Sequence, residues 1–293
     1  MALFRGERFY QLLISTVVIL LSVMSLYPLL YVIAVSLVNE QEWTASGGFI
    51  LWPKEPTLQA YRKIFEGPAF VTAFGISVLR TFLGTALTLA ATTITAYAVS
   101  RRSLPGRSFL LFMIVATILF NSGLIPSYLV VKDLGMLDTI WSLVIPGAVD
   151  SWSVLVLKQF FDNIPKELEE SARIDGAGEF KVMTRIMLPM SVPAFAAIGL
   201  FMAVAHWNSW FDAMIYITDA TRQPLQLLIR NLFVSVDLGA QFNSSMVTNP
   251  SARVAAESLK MAVVVIGIIP ILCIYPFLQK HFTKGMYVGA VKG

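Results

Sequence analysis

Charged residues are scarce in this chain of 293 residues: Asp, Glu, Lys and Arg make up 14% of it, whereas 56% of its residues are hydrophobic. A soluble globular domain has about 25% charged residues. This chain has too little polar surface to cover itself, so we expect it to lie in a lipid bilayer. Its net charge of +4 is modest and unevenly placed, which indicates membrane topology rather than nucleic-acid binding.

Cysteine and histidine are almost absent. The single Cys273 lies in an apolar run, which excludes an intrachain disulfide and a cysteine cluster for zinc or iron–sulfur, so we expect it to pack between helices. The two histidines, His206 and His281, are far apart, so no metal site is expected. The phosphate-binding pattern GxxxxGK followed by Ser or Thr does not occur, so any ATP is expected to be hydrolysed by another chain.

Long runs without charge predict six membrane-spanning helices, because a helix needs about 20 apolar residues to cross a bilayer. Open strands would leave backbone groups unpaired in lipid, so the predicted fold class is all-α integral membrane. Residues 9–279 form the six-span domain and contain a loop at 161–189. The predicted spans are 9–37, 70–100, 108–131, 139–160, 187–216 and 258–279.

The distribution of basic residues predicts the orientation of these spans. The first apolar run is far longer than the roughly 7–15 residues of a signal peptide, so we interpret it as a retained anchor. Arg101 and Arg102 directly follow the second span, and Lys280 directly follows the sixth. By the positive-inside rule, residues 1–8, the loop 161–189 and the tail 280–293 are expected in the cytoplasm.

The segment from Glu169 to Pro189 carries seven charges in 21 residues, between two apolar runs. The preceding Asn163-Ile164-Pro165 favours a helix start, since asparagine suits the cap and proline the first turn. Gly176 and Gly178 are expected to end that helix. A second short helix is predicted over 179–188. The pattern thus predicts two short helices that meet at a glycine turn outside the membrane.

The spacing inside this segment resembles a known motif. Glu170-Ser171-Ala172 is followed after three residues by Gly176, and after nine more by Ile186-Met187-Leu188-Pro189. This resembles the EAA loop of ABC importer permeases, with Ser171 in place of the middle alanine. The strings IPKELEESARIDGA and FTKGMYVGAVKG resemble the carbohydrate-uptake branch and its maltose-permease-type smaller subunit. The string HWNSWFDAMIY is similar to importers of larger or acidic oligosaccharides, such as aldouronates, rhamnogalacturonan fragments or alginate.

The resemblance implies a type I ABC importer permease whose EAA loop contains a cytoplasmic coupling helix, which docks in a cleft of the ATP-hydrolysing subunit. Glu170 would make the charged contact, Ala172 would pack into the cleft, and Gly176 would form the turn. The alternative is an amphipathic helix that lies on the bilayer. The expected coupling residues are Glu169, Glu170, Ala172, Asp175, Gly176 and Ala177.

The resemblance also implies partners. They are a second, homologous permease subunit, two ATPase subunits that use ATP and Mg²⁺, and an extracytoplasmic solute-binding protein, all at a bacterial inner membrane. The chain itself would be no enzyme and would bind no cofactor. The implied cargo is an oligosaccharide, with an acidic, uronate-containing one set against a neutral sugar or a glycerol phosphate. Rival classes are an ion-driven secondary transporter and a membrane scaffold.

Segments outside the spans have two readings each. The outer loops 40–66 and 219–257 are long enough to meet an external partner. By the resemblance, 219–257 would contact a loaded binding protein; the alternative is a loop that merely closes the helix bundle. The tail 282–293 either reaches the ATPases or ends in solvent.

Polar residues inside the predicted spans are candidates for the translocation path, since ionisable groups in a bilayer usually face a cavity or a partner. Arg80 either pairs with Asp150 or Asp212 for structural reasons, or Arg80 or Asp150 lines the path. The tryptophans either stack on a sugar or lie at the membrane interface. The candidates are Arg80, Asn121, Asp150, Trp152, His206, Trp207, Asn208 and Trp210.

Overall fold

A computed structural model describes residues 2–120, 122–234 and 255–290, and the regular elements in those ranges are all helical. The predicted all-α fold class is therefore confirmed. The α-helices are α1 (Ala2–Ser36), α2 (Glu40–Ala45), α3 (Gln59–Glu66), α4 (Pro68–Ser100), α5 (Arg107–Leu119), α6 (Leu124–Asp133), α7 (Ser151–Asp162), α8 (Lys166–Ile174), α9 (Glu179–Val182), α10 (Leu188–Met190), α11 (Val192–Asn208), α12 (Phe211–Tyr216), α13 (Leu225–Val234) and α14 (Ala256–Ala290).

Three helical stretches in the described ranges are long and apolar enough to cross a membrane: Tyr10–Ser36, Pro68–Ser100 and Ala256–Ile274. Two bent pairs raise this number to five if each pair is one span. In the first pair, α5 and α6 differ in direction by 118°. In the second, Glu179–Met190 and α11 differ by 86°. The count of six spans stays a prediction.

The region predicted as the third span is a pair of helices rather than one. α5 ends at Leu119, and α6 begins at Leu124 after Gly123, whose φ is +80°. A side chain is strained at such a φ, so glycine suits this change of direction. Charge-free sequence alone did not show the break.

The region predicted as the fourth span contains a 3₁₀ turn at Ile140–Leu143 and then α7. α7 has 12 residues, which gives a length of about 18 Å, against about 30 Å for the hydrocarbon core of a bilayer. Asp150 is the N-cap of α7, and its Oδ2 accepts a hydrogen bond from Ser153 N at 2.8 Å. Asp150 therefore begins a helix instead of lying in the middle of one.

The structure divides into two compact units, and the first comprises residues 1–70 and 229–269. Within it, the Ser258 hydroxyl donates to Val38 O at 2.8 Å, and the hydroxyls of Ser36 and Tyr61 are 2.7 Å apart. These bonds hold α3 and α14 to the carboxyl end of α1. Most of the large side chains along α1 from Tyr10 to Leu30 are exposed, as expected of a surface that faces lipid or another chain.

The second unit comprises residues 71–228 and 270–293 and contains the charged segment. Its main buried cluster brings together side chains from α4, α7, α11 and the segment that precedes α11. The segment is therefore packed against the long helices. The buried members are Ala96, Tyr97, Val99, Val154, Leu157, Phe161, Ile164, Val182, Met183, Met187, Ala194 and Ile198.

Candidate functional site

The charged segment forms two helices that meet at a tight turn, as its sequence predicted. α8 follows Pro165, and its last turn closes through Gly176 N, which donates to Arg173 O at 3.0 Å, and Ala177 N, which donates to Ala172 O at 2.9 Å. The φ of Gly176 is +77°, a conformation that glycine adopts without strain. α9 then begins after Gly178 and continues through a π-helical stretch and α10 as far as Met190.

An ion-pair network ties both halves of this segment to the end of α4. We call its members, Tyr97, Arg101, Glu169, Arg173 and Glu179, the Arg101 cluster. Arg101 Nη1 pairs with Glu169 Oε2, and Arg101 Nε lies 3.8 Å from Glu179 Oε2. Arg173 Nη2 lies 2.8 Å from Glu179 Oε1 and 3.9 Å from Glu169 Oε2. The two carboxylates thus share two guanidinium groups.

Tyr97 of α4 contacts both Arg101 and Glu179 in the cluster. The Arg101 guanidinium lies 4.0 Å from the centroid of the Tyr97 ring, a cation–π contact. The Tyr97 hydroxyl donates to Glu179 Oε2 and also lies 3.2 Å from the Glu179 carbonyl oxygen. This hydroxyl is the main cause that lowers the pKa of the Glu179 carboxyl, with help from Arg173 and Arg101 and against the effect of burial. Glu179 therefore stays ionised at neutral pH.

Glu169 and Glu170 differ in exposure, since consecutive residues of an α-helix point about 100° apart. Glu169 is 8% exposed and belongs to the Arg101 cluster, whereas Glu170 is exposed. Ala172 and Ala177 pack against the buried cluster of their own chain. Ala172 lies three residues after Glu169 and so shares its inward face, because residues three apart are neighbours on a helix surface. The expected contact of Ala172 with a partner's cleft stays a prediction.

The outward surface of the segment is partly apolar. Ile174 is 86% exposed and Phe180 is 75% exposed, on either side of the turn. Asp175 and Gly176 lie between them and are exposed as well. Sequence reasoning missed both apolar residues, although large apolar side chains within a charged segment are a signal of a contact surface.

Arg80 is the most deeply buried charge described, and its side chain is 2% exposed. Its Nη2 pairs with Asp212 Oδ2, and its Nη1 donates to Ser209 O at 3.0 Å. The Ser209 hydroxyl and Ala213 N also donate to Asp212 Oδ1, at 2.8 and 2.9 Å. Of the pairings considered from sequence, the structure has Arg80 with Asp212. The pair holds α4 to the break between α11 and α12.

The candidate path residues Trp152, Trp207, Asn208 and Trp210 differ in their exposure to solvent. Trp207 is 6% exposed and packs edge-on against Phe74, with ring centroids 5.7 Å apart, so it is a core residue. Asn208 is exposed, and Trp152 and Trp210 are 60% and 37% exposed. These three stay candidates for contact with a transported molecule. Asn121 lies outside the described residues.

His206 lies against α4 where that helix has Gly84. A Cβ added to Gly84 would be 2.5 Å from His206 Cε1 and Nε2, so glycine is what permits this close approach. The imidazole is partly buried between the helices. It therefore serves helix packing, in a position that the sequence did not reveal.

Asp138 forms a second polar junction that sequence analysis did not identify. Its carboxylate accepts hydrogen bonds from Thr218 N at 2.6 Å, from the Thr218 hydroxyl at 2.7 Å and from Asp219 N at 3.0 Å. These donors lower the pKa of Asp138, the Asp219 backbone N–H most of all. Asp138 has a φ of +56°, so the backbone adopts an uncommon conformation to join the loop after α6 to the loop after α12.

Comparisons with known proteins agree with this architecture. The chain is 44% identical over 269 residues to the protein LplC of Bacillus subtilis (strain 168), a match that covers 92% of this chain and 90% of LplC. It is 41% identical over 287 residues to the polygalacturonan/rhamnogalacturonan transport system permease protein YtcP of the same organism, which covers 98% of this chain and 99% of YtcP.

A solved structure is similar over almost its whole length. It is the crystal structure of a bacterial ABC transporter involved in the import of the acidic polysaccharide alginate. The match has a TM-score of 0.89 and 28% sequence identity, and it covers 95% of this chain and 98% of that one. The family inferred from the EAA-like spacing is confirmed.

Residues 1–287 match the family model described as "Binding-protein-dependent transport system inner membrane component". The chain, with its long apolar helices and its packed EAA-like segment, therefore belongs to this family of membrane transport permeases.

Proposed function

We propose that the chain is one of two permease subunits of an ATP-driven importer that takes up an acidic oligosaccharide from a solute-binding protein. The observation that carries this proposal is the segment from α8 to α9 in a chain of this family. Its inner face is fixed to the helices by the Arg101 cluster, while its outer face presents Glu170, Ile174 and Phe180. A segment that is both rigid and exposed suits the transmission of force from another subunit.

The segment would dock on one of two ATPase subunits at the cytoplasmic side. Ile174 and Phe180 would supply the apolar contact, and Glu170 a charged contact that fixes the register. ATP and Mg²⁺ would be bound and used by those ATPases and not by this chain. The N- and C-termini would lie in the cytoplasm, as the basic residues after the second and sixth predicted spans indicate.

Transport would follow alternating access. Closure of the ATPase pair on ATP would draw the two coupling segments together, and the packed helices would open the path outwards to the loaded binding protein. Hydrolysis would return the path to its inward-facing state. A second permease subunit would complete the path, since one chain supplies half of it.

An acidic cargo is supported by the names of the relatives: YtcP is described as transporting polygalacturonan and rhamnogalacturonan, and the solved neighbour as importing alginate. The exposure of the candidate side chains supports some of them over others as contacts for such a cargo. Arg80 is occupied by Asp212, and Trp207 is in the core. Trp152, Asn208 and Trp210 are exposed, and Asp150 is partly exposed. The tryptophans would act through aromatic stacking, and Asn208 and Asp150 through hydrogen bonds.

The test is uptake and ATP hydrolysis by the complete complex in proteoliposomes, with its binding protein. Gly176→Trp and Ile174→Ser are compared with Lys181→Ala, an exposed residue of α9 outside the proposed contact. We expect the first two to lose bound ATPase subunits or sugar-stimulated hydrolysis, and Lys181→Ala to retain both. If all three behave alike, the coupling segment is wrongly assigned.

The cargo is tested with the unmodified complex. Oligogalacturonates and neutral maltooligosaccharides of equal length are offered to the binding protein, and glycerol phosphate is offered separately. Stimulation by the uronates supports the proposal, and stimulation by a neutral sugar or glycerol phosphate changes the cargo within the same family. Uptake driven by an ion gradient without ATP would replace the proposal with a secondary transporter.

A further inference from the structure

Besides the Tyr97 hydroxyl and the apolar cluster, the side chain of Arg101 at the end of α4 joins the segment from α8 to α9 to that helix. Its guanidinium reaches Glu169 of α8 and Glu179 of α9, and it rests on Tyr97 of α4. Arg173 bridges the same two carboxylates from α8 itself. The angle between α8 and α9 is thus fixed from both sides by paired charges.

The burial of this contact makes it different from an ordinary surface ion pair. The Arg101 side chain is 15% exposed, and that of Glu169 is 10% exposed. Exposed ion pairs contribute little, whereas loss of one member of a buried pair leaves an uncompensated charge. The neighbouring Arg102 has no ion pair within the described residues, although it is also an arginine at the end of the same helix.

A second buried arginine, Arg80, lies in the first half of α4. Arg80 pairs with Asp212 and with Ser209 O at the break between α11 and α12. The two arginines are about 30 Å apart along the helix, from its rise of 1.5 Å per residue. α4 is one continuous helix from Pro68 to Ser100. One rigid helix therefore links the charged segment to the break that lies among the candidate path residues.

We infer that Arg101 is a positioning residue: it makes α8 and α9 move with α4, and α4 carries that movement to the Arg80–Asp212 pair. Arg101 contacts neither the cargo nor the ATPase in this scheme. It acts by keeping the exposed surface of Glu170, Ile174 and Phe180 in a fixed relation to the helices. This inference rests on the proposed function, since it requires a partner that pushes on the segment.

Substitution of Arg101 by lysine or methionine distinguishes a role in positioning the segment from a role that needs only a positive charge. A lysine keeps the charge but cannot contact two carboxylates through a planar fork and stack on a ring, so Arg101→Lys should restore function only in part. Arg101→Met removes the charge. Arg102→Met is the matched control, because it removes a neighbouring arginine that has no ion pair in the described part of the chain.

The measurement is the number of sugar molecules taken up per ATP hydrolysed by the reconstituted complex. We expect Arg101→Met to retain its ATPase subunits but to lower this ratio by about tenfold, the scale of a typical coupling between two sites. Arg101→Lys should lie between Arg101→Met and the unmodified chain. Arg102→Met should match the unmodified chain.

The distance between α8 and α4 is a second measurement, and a change in overall stability alone would not alter it. In a Cys273→Ser background, spin labels at Ser171 of α8 and Thr95 of α4 report the distance between the two helices. We expect a narrow distribution for the unmodified chain and for Arg102→Met, and a broad one for Arg101→Met.

Two results would overturn the inference. The first is an Arg101→Met complex with the same coupling ratio and distance distribution as Arg102→Met. The second is loss of the ATPase subunits from Arg101→Met, which would make Arg101 part of the docking surface. If Gly176→Trp also leaves coupled uptake intact, the proposed function fails; if Gly176→Trp abolishes uptake while Arg101→Met does not, only the role of Arg101 fails.

Discussion

The pair of Arg80 and Asp212 should respond unequally to loss of its two members. Arg80 is 2% exposed, and its Nε has no hydrogen-bond partner among the described residues, so it depends on Asp212 and on one carbonyl oxygen. Asp212 is 28% exposed and also accepts hydrogen bonds from Ser209 and Ala213. Removal of the aspartate therefore leaves a buried charge almost alone. Removal of the arginine leaves a carboxylate that keeps two donors.

The expected costs follow from that difference. Asp212→Leu should lower the free energy of unfolding by about 3–5 kcal/mol, the usual effect of leaving a buried charge unpaired. Arg80→Met should lower it by about 1–3 kcal/mol, closer to the loss of one charged hydrogen bond. The double variant should cost less than the sum, because apolar replacement of a whole buried pair is often close to neutral.

The assay is the fraction of monodisperse protein left after heating in detergent, measured by size-exclusion chromatography. A loss of 1 kcal/mol lowers the midpoint by about 2–4 °C in domains of 150–250 residues, which gives the scale expected here. Arg185→Met serves as the exposed control. A lower midpoint for Arg80→Met than for Asp212→Leu, or strictly additive losses in the double variant, would refute this reasoning.

Three further predictions concern single positions. Gly84→Ala should lower the thermal midpoint, because its Cβ would lie 2.5 Å from the histidine ring on α11, whereas Gly75→Ala in the same helix has nothing within 4 Å and should not. Gly176→Ala should destabilise the turn by about 1–2 kcal/mol because its φ is +77°, whereas Gly178→Ala, with a φ of −73°, should not; limited proteolysis of the segment measures both. The pKa of Glu179 is lowered, so its stabilising effect is present at neutral pH, above the ordinary value of about 4.3, and is lost as the pH falls through the lower folded value. Mobility of a spin label on α8, followed from neutral pH to about pH 3, should rise over that range.

Each of these has an outcome that contradicts it. Equal thermal midpoints for Gly84→Ala and Gly75→Ala would show that α4 and α11 can move apart at Gly84 without loss of stability. Equal protease sensitivity of Gly176→Ala and Gly178→Ala would show that the turn tolerates a side chain. A label whose mobility rises equally in Glu179→Gln would place the titrating group elsewhere.

The sequence predicted those helices and turns that are determined by residues close together in the chain. Pro68–Ser100 is one helix because it combines a long apolar run with a single charge, Arg80, and the proline lies in its first turn. The turn at Gly176 was predicted because glycine and the flanking helix signals are close together in the chain. The spacing from Glu170 to Pro189 predicted the family, which the comparisons confirm.

The missed features depend on contacts between distant residues. In the sequence, Arg101 indicated only which side of the membrane its loop faces. Its partners Glu169 and Glu179 are distant from it in the chain, so the pairing was not predicted. A helical reading of Glu169, Ala172 and Arg173 as one face would have separated Glu169 from Glu170 in advance. The break at Gly123 and the helix start at Asp150 lie inside apolar runs. An apolar composition predicts that such a run lies in lipid, but it does not predict whether the run forms one unbroken helix.

The exposure of Ile174 and Phe180 has a consequence for a chain that has not yet assembled with its partners. Their side chains are 86% and 75% exposed, and they lie in a charged segment that we expect to lie outside the membrane. An unassembled copy would therefore offer two exposed apolar side chains to chaperones and proteases. Docking of the ATPase would bury them, so the surface that transmits force would also mark incomplete complexes for removal and keep the subunits in balance.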